Sequence, residues 1–220
     1  MMARQLSFDW PNGVALGPDD FFVSTANATA FGMVTDPDRW PLRKLVIAGP
    51  AGCGKSHLAR IFAACQPTQI VQASDLTPDF QPDATALVVE DMDNLPPTAQ
   101  EAVFHLHNHL QNNAGLLLMT ARQTPGRWPV TLPDLASRMQ GTAVVQVADP
   151  DDALLQAVMM KLFADRQILP PPDLAAYLAP RIERSFAAAA DIVARLDSTA
   201  LATGHKISQR LAARLLDKSD

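Results

Sequence analysis

Short apolar runs alternate with amphipathic stretches along residues 21–148. The runs fall at residues 44–48, 69–73, 86–89, 115–120 and 143–147, each four to six residues long and mostly β-branched or leucine-rich. Such runs predict strands buried on both faces. Residues 57–65 and 98–110, lying between them, carry helix-like patterns. Five strands with helical crossovers predict an α/β domain built on a five-stranded parallel sheet.

After residue 148 the strand pattern gives way to helical periodicity. Asp149, Pro150 and Asp152 read as the N-cap, first and third positions of a helix. Leu154/Leu155, Val158/Met159 and Leu162/Phe163 continue it as one apolar stripe, and Pro170-Pro171-Pro172 is expected to end it. Further helices are predicted over residues 173–178, over residues 185–203 with Gly204 as C-terminal cap, and from near Ser208. Residues 149–220 thus read as a small helical domain. Residues 1–20 hold the turn formers Pro11-Asn12-Gly13 and Gly17-Pro18-Asp19 and read as an arm.

Composition narrows the function classes. An apolar fraction of 48% can fill a core, and 220 residues suit one domain with a smaller companion. A net charge of −5 provides no global basic field for wrapping duplex DNA; the basic residues Arg122, Arg127 and Lys161 are scattered. The only two cysteines, Cys53 and Cys65, fit a reducing cytoplasmic compartment, since Cys53 lies inside a phosphate-binding motif. No secretory apolar core opens the sequence, and the run over residues 115–121 is too short to span a bilayer, so no membrane contact is expected.

The motif is Gly49-Pro50-Ala51-Gly52-Cys53-Gly54-Lys55-Ser56, a complete G-x-x-x-x-G-K-S loop between a predicted strand and a predicted helix. Its glycines let successive N–H groups converge on one centre, and the following helix adds its N-terminal dipole. Lys55 is placed to reach the β- and γ-phosphates, and Ser56 to hold Mg²⁺. The metal needs acids at a strand end, and Glu90-Asp91 follow the run Leu87-Val88-Val89. Thr120, ending the fourth run, is placed to sense the γ-phosphate. Asp93 reads as surface charge. His105, His107 and His109 read as helix-surface histidines rather than a zinc site, which needs another ligand.

These residues together resemble the DnaA/Hda family of AAA+ replication proteins. Phe21-Phe22-Val23-Ser24 with Asn27 is similar to that family's adenine-side segment, and Gly54-Lys55-Ser56-His57-Leu58 to its form of the phosphate loop. Leu132-Pro133-Asp134-Leu135-Ala136-Ser137-Arg138 is close to the stretch carrying its arginine finger. The resemblance implies an AAA+ α/β domain over residues 21–148 and a helical lid over residues 149–220. It implies ADP or ATP with Mg²⁺ as cofactor, contacted by Phe22, Val23, Asn27, Pro50, Ala51, Gly52, Cys53, Gly54, Lys55, Ser56, His57 and Arg184. It further implies Mg²⁺ on Ser56, Glu90 and Asp91, a catalytic set of Glu90, Asp91 and Thr120, and Arg138 acting in trans.

Two departures bear on activity. Glu90 stands where DnaA has Asp, and Ala187 stands where the family carries a nucleotide-sensing lid arginine, with Arg184 about one turn earlier. Weak intrinsic ATPase activity is expected. Only 23 residues follow Asp197, so the DnaA helix-turn-helix domain and direct duplex reading are not expected. Gln5-Leu6-Ser7-Phe8-Asp9-Trp10 is similar to the short peptide with which replication proteins dock on the sliding clamp. Leu6, Phe8 and Trp10 are its apolar anchors and Gln5 its directional group. The implied partners are DnaA, the sliding clamp and a second copy of this chain, with DNA reached through the clamp. An autonomous helicase-loader-like ATPase and a non-catalytic adaptor are the rival readings.

Overall fold

The computed structural model describes residues 21–217, so the arm expected over residues 1–20, with the expected clamp-docking residues Gln5 to Trp10, lies outside the described residues. Five parallel strands form one sheet: β1 (Lys44–Ala48), β2 (Thr68–Gln72), β3 (Ala86–Glu90), β4 (Leu116–Ala121) and β5 (Ala143–Gln146), in spatial order β2-β3-β4-β1-β5. Central β1, β3 and β4 are buried throughout. Edge strands β2 and β5 are only partly covered, contrary to the expectation of burial on both faces. Among the described residues each has a single hydrogen-bonded strand neighbour, as an edge strand does.

Alternation along the strands builds two cores. Leu45, Ile47, Val88 and Leu118 face α1 (Ala28–Thr35) and α2 (Lys55–Cys65), where Leu58, Ile61 and Phe62 complete the packing. Val46, Leu87, Val89, Leu117 and Met119 face α3 (Gln100–Asn112) and α4 (Pro133–Gln140), packing on Val103, Leu106, Leu135 and Met139.

The third core belongs to the helical domain: α5 (Asp152–Asp165), α6 (Leu174–Leu178), α7 (Phe186–Thr203) and α8 (Gln209–Leu216). Leu155, Met159, Phe163, Leu174, Ile192 and Leu196 fill it. Ser185 and Ser208 cap α7 and α8, and Gly204 ends α7 at φ 67°. The start of α5 corrects the sequence expectation. Asp151, not Asp149, is its N-cap, with the carboxylate accepting the Leu154 N–H at 2.8 Å. The helix also stops at Asp165, ahead of the prolines, where the chain turns through Gln167 at φ 59°.

His107 also departs from expectation. It is buried at 4% exposure on the α3 side facing β1, and its Nε2 lies 2.7 Å from the Nζ of Lys44, which is 1% exposed. The Gln111 Oε1 accepts a second bond from that ammonium at 3.1 Å. Burial and the Lys44 charge push His107 down to about 4; burial and the Arg138 charge push Lys44 down to about 8.

Candidate nucleotide site

The phosphate loop leaves β1 and enters α2 through two left-handed glycines, Gly52 at φ 72° and Gly54 at φ 99°. Those angles penalise any residue with a Cβ. Lys55 is buried and curls back over the loop, donating to the carbonyls of Gly49 at 2.9 Å and Pro50 at 2.7 Å. Cys53 packs beneath the loop, where burial pushes its thiol pKa up even with Lys55 nearby.

Above the loop lies a cavity of about 500 Å³ between the α/β and helical domains. That volume suits a nucleotide-sized ligand. Ala51, Gly52, Gly54, Lys55, Ser56 and His57 form its floor. Phe21 and Phe22 close one side, with Phe21 stacked on Phe31 at 5.3 Å and edge-on to His57 at 5.0 Å. Asp91 and Arg122 line it from the strand ends, and Leu154, Val158, Lys161, Leu162, Phe186, Ala187 and Ala190 from the helical domain.

The remaining predicted contacts are distributed unevenly. Pro50 and Cys53 shape the loop without lining the cavity. Asn27 is buried and ties its own segment together, accepting from the Ser24 N–H at 2.8 Å and donating to the Phe22 carbonyl at 2.9 Å. Val23 is 52% exposed and outside the cavity lining. Arg184 pairs with Asp152 at 2.7 Å and donates to the Pro150 carbonyl at 3.3 Å, also outside the lining.

At the strand ends, Asp91 adopts φ 57° and its N–H donates to the buried Thr120 Oγ1 at 3.1 Å. Thr120 therefore fixes the turn that presents Asp91. Glu90 accepts from Gln72 Nε2 at 3.0 Å through Oε2, while its Oε1 is buried without a hydrogen-bond partner. Asp91 and Ser56 line the cavity while Glu90, next in sequence to Asp91, lies outside the lining; together they offer a set of hard oxygens of the kind Mg²⁺ takes. The set fits a nucleotide-bound metal, which would supply charge neutralisation between the phosphates. Asp93 is not idle surface charge: its carboxylate accepts the N–H groups of Arg122 and Gln123 and pins the turn after β4.

Sequence reasoning missed the roof of the cavity. The apolar stripe on α5 read as core alone, yet Leu154 and Val158 face the cavity while Leu155 and Met159 face the helical core. The loop glycines also carry a second constraint. Gly52 accepts the Phe186 N–H at 3.0 Å, and a Cβ there would lie 2.7 Å from the Ser185 Cβ. A Cβ on Gly54 would lie 2.9 Å from the Phe186 ring. The α7 N-terminus is therefore seated directly on the phosphate loop.

Arg138 is remote from this chemistry. It projects from α4, outside the cavity lining, with its guanidinium carbon 4.6 Å from the centroid of the Phe104 ring on α3.

A phosphate loop between β1 and α2 of a β2-β3-β4-β1-β5 parallel sheet, with a helical bundle above it, is a P-loop α/β fold of the AAA+ type. No family model matches the sequence. The chromosomal replication initiator DnaA of Cutibacterium acnes is 24% identical over 196 residues, 76% of this chain and 39% of that protein. Domain III of DnaA from Thermotoga maritima superposes with a TM-score of 0.77 at 16% identity, covering 92% of this chain and 96% of that one. AMPPCP-bound DnaA from Aquifex aeolicus superposes with a TM-score of 0.68 at 15% identity, covering 84% and 67%. The chain is thus similar in sequence to DnaA and shares the fold of its domain III. It spans less than half the length of the curated relatives it matches. No helix among the described residues is long and apolar enough to cross a membrane.

Proposed function

We propose that this protein is an Hda-like regulator of replication initiation that activates ATP hydrolysis in DnaA. It holds ADP or ATP with Mg²⁺ on the Lys55–Ser56 loop and acts in the cytoplasm. Gln5, Leu6, Ser7, Phe8 and Trp10 dock it on the sliding clamp, through which it reaches DNA. Arg138 then meets the ATP of a neighbouring DnaA and offsets charge developing on the transferred phosphoryl group.

The observation that carries this reading is the remoteness of Arg138 from its own cavity. An arginine on the flank of the module, bearing no carboxylate partner among the described residues, is suited to a neighbour's nucleotide. An arginine supplied in trans contributes about 10³–10⁵ in rate. The roof bears Ala187 where the family has a sensing arginine, which supports weak hydrolysis by the protein alone.

Steady-state hydrolysis by DnaA with DNA-loaded clamp tests the reading. The wild-type protein stimulates turnover, and Arg138→Ala loses about 10³-fold or more of the stimulation while retaining nucleotide and clamp binding. Full stimulation by Arg138→Ala would leave an adaptor that merely bridges clamp and initiator. Vigorous hydrolysis without DnaA would instead favour an autonomous remodelling ATPase.

A further inference from the structure

We propose that Phe104 is a positioning residue for Arg138, a platform that fixes the direction of the trans-acting guanidinium without neutralising it. The inference rests on the reading of Arg138 given above. The Phe104 ring lies 4.6 Å from the guanidinium carbon. α3 is anchored by apolar burial of Val103, Leu106 and Leu110, so the ring stands on a rigid element.

The surroundings of Arg138 are unusual for a half-buried arginine. Asp134 lies one helical turn away on α4, at the spacing that favours an ion pair, yet no salt bridge joins them. A second cation, the Lys44 ammonium, is held by His107 and Gln111. Lys44 and Arg138 are close enough that the arginine charge disfavours protonation of the lysine. Repulsion from Lys44 disfavours approach of the guanidinium to that ammonium, and quadrupole attraction holds it against the Phe104 ring. A carboxylate in the same place would compete with the phosphoryl oxygens that an arginine finger must meet. The ring face orients the cation and leaves its N–H donors available.

Phe104→Leu and Phe104→Tyr separate a platform from ordinary packing. Phe104→Leu keeps apolar bulk and removes the π face; Phe104→Tyr keeps the face. The expected result is a loss of about tenfold in kcat for stimulated DnaA hydrolysis with Phe104→Leu, the scale of a misdirected catalytic group, with the concentration for half-stimulation within about twofold of wild type. Phe104→Tyr remains within about twofold in both. Wild-type kcat with Phe104→Leu, or equal losses in both variants, overturns the proposal. NMR of arginine-labelled protein checks the stack without DnaA. The Arg138 δ-methylene protons are expected upfield by ring current in wild type and Phe104→Tyr, and at ordinary positions in Phe104→Leu. Unshifted protons in the wild type overturn the stack itself. Full stimulation by Arg138→Ala with the shifts intact would instead retire the finger role and leave the stack standing.

Discussion

Single side chains in this protein are governed by what surrounds their charge. Lys44 is the clearest instance, an ammonium buried at the start of β1 whose partners among the described residues are a neutral imidazole and an amide. Its pKa falls from the ordinary lysine value of 10.5 to about 8 because burial disfavours the charged form. Between those values the unfolded chain holds the proton and the native one does not, so native stability rises with pH across the window. Thermal unfolding at pH 8, 9 and 10 is expected to show this rise in wild type and a weaker one in Lys44→Met. The opposite edge concerns His107, whose pKa lies near 4 instead of 6.5. Its contribution is complete above pH 6.5 and is lost as pH falls toward 4, because the unfolded histidine takes up a proton that the native one refuses. Removing the imidazole as His107→Ala leaves the Lys44 ammonium short of an acceptor. A cost of about 1–3 kcal/mol is expected in denaturant unfolding.

Elements show what the pattern of residues could and could not reveal. All five strands were legible, since short apolar runs bounded by turn formers are strand-like in any context, and β1 matched residue for residue. The phosphate loop was legible because its glycine and lysine spacing between a strand and a helix is itself a local signature. The start of α5 was not: Asp149, Asp151 and Asp152 all offer a capping carboxylate, and tertiary placement selected Asp151. The role of Asp93 was hidden too, because the N–H groups it accepts belong to a turn about thirty residues away. The same holds for the seating of α7 on Gly52, a contact between residues far apart in sequence. That seating makes Gly52→Ala doubly unfavourable, through positive φ and through the Ser185 side chain. The left-handed angle alone costs about 1–2 kcal/mol. Scanning calorimetry is expected to show a Tm lower by roughly 2–8 °C, taking 2–4 °C per kcal/mol. An unchanged Tm would contradict both the left-handed angle at Gly52 and the seating of α7 on the loop.

The molecule as a whole joins two bodies across one cavity, and Arg138 lies outside the lining of that cavity. A ligand bridging Lys55 below and the α5–α7 roof above would couple occupancy to the angle between the two bodies. The α4 helix bearing Arg138 packs on the sheet through Leu135 and Met139 and so belongs to the lower body. Binding that favours the native state also stabilises it by mass action, about 2.7 kcal/mol at a hundredfold excess over Kd. Thermal shift with ADP and Mg²⁺ is therefore expected to raise Tm in wild type and not in Lys55→Ala.

Everything proposed for this protein requires a nucleotide on the phosphate loop, and isothermal titration of the purified full chain with ADP or ATP in Mg²⁺ tests that requirement most directly. One nucleotide bound per chain, with binding lost in Lys55→Ala, is the predicted result. Absence of binding by the wild-type chain to either nucleotide would contradict the account.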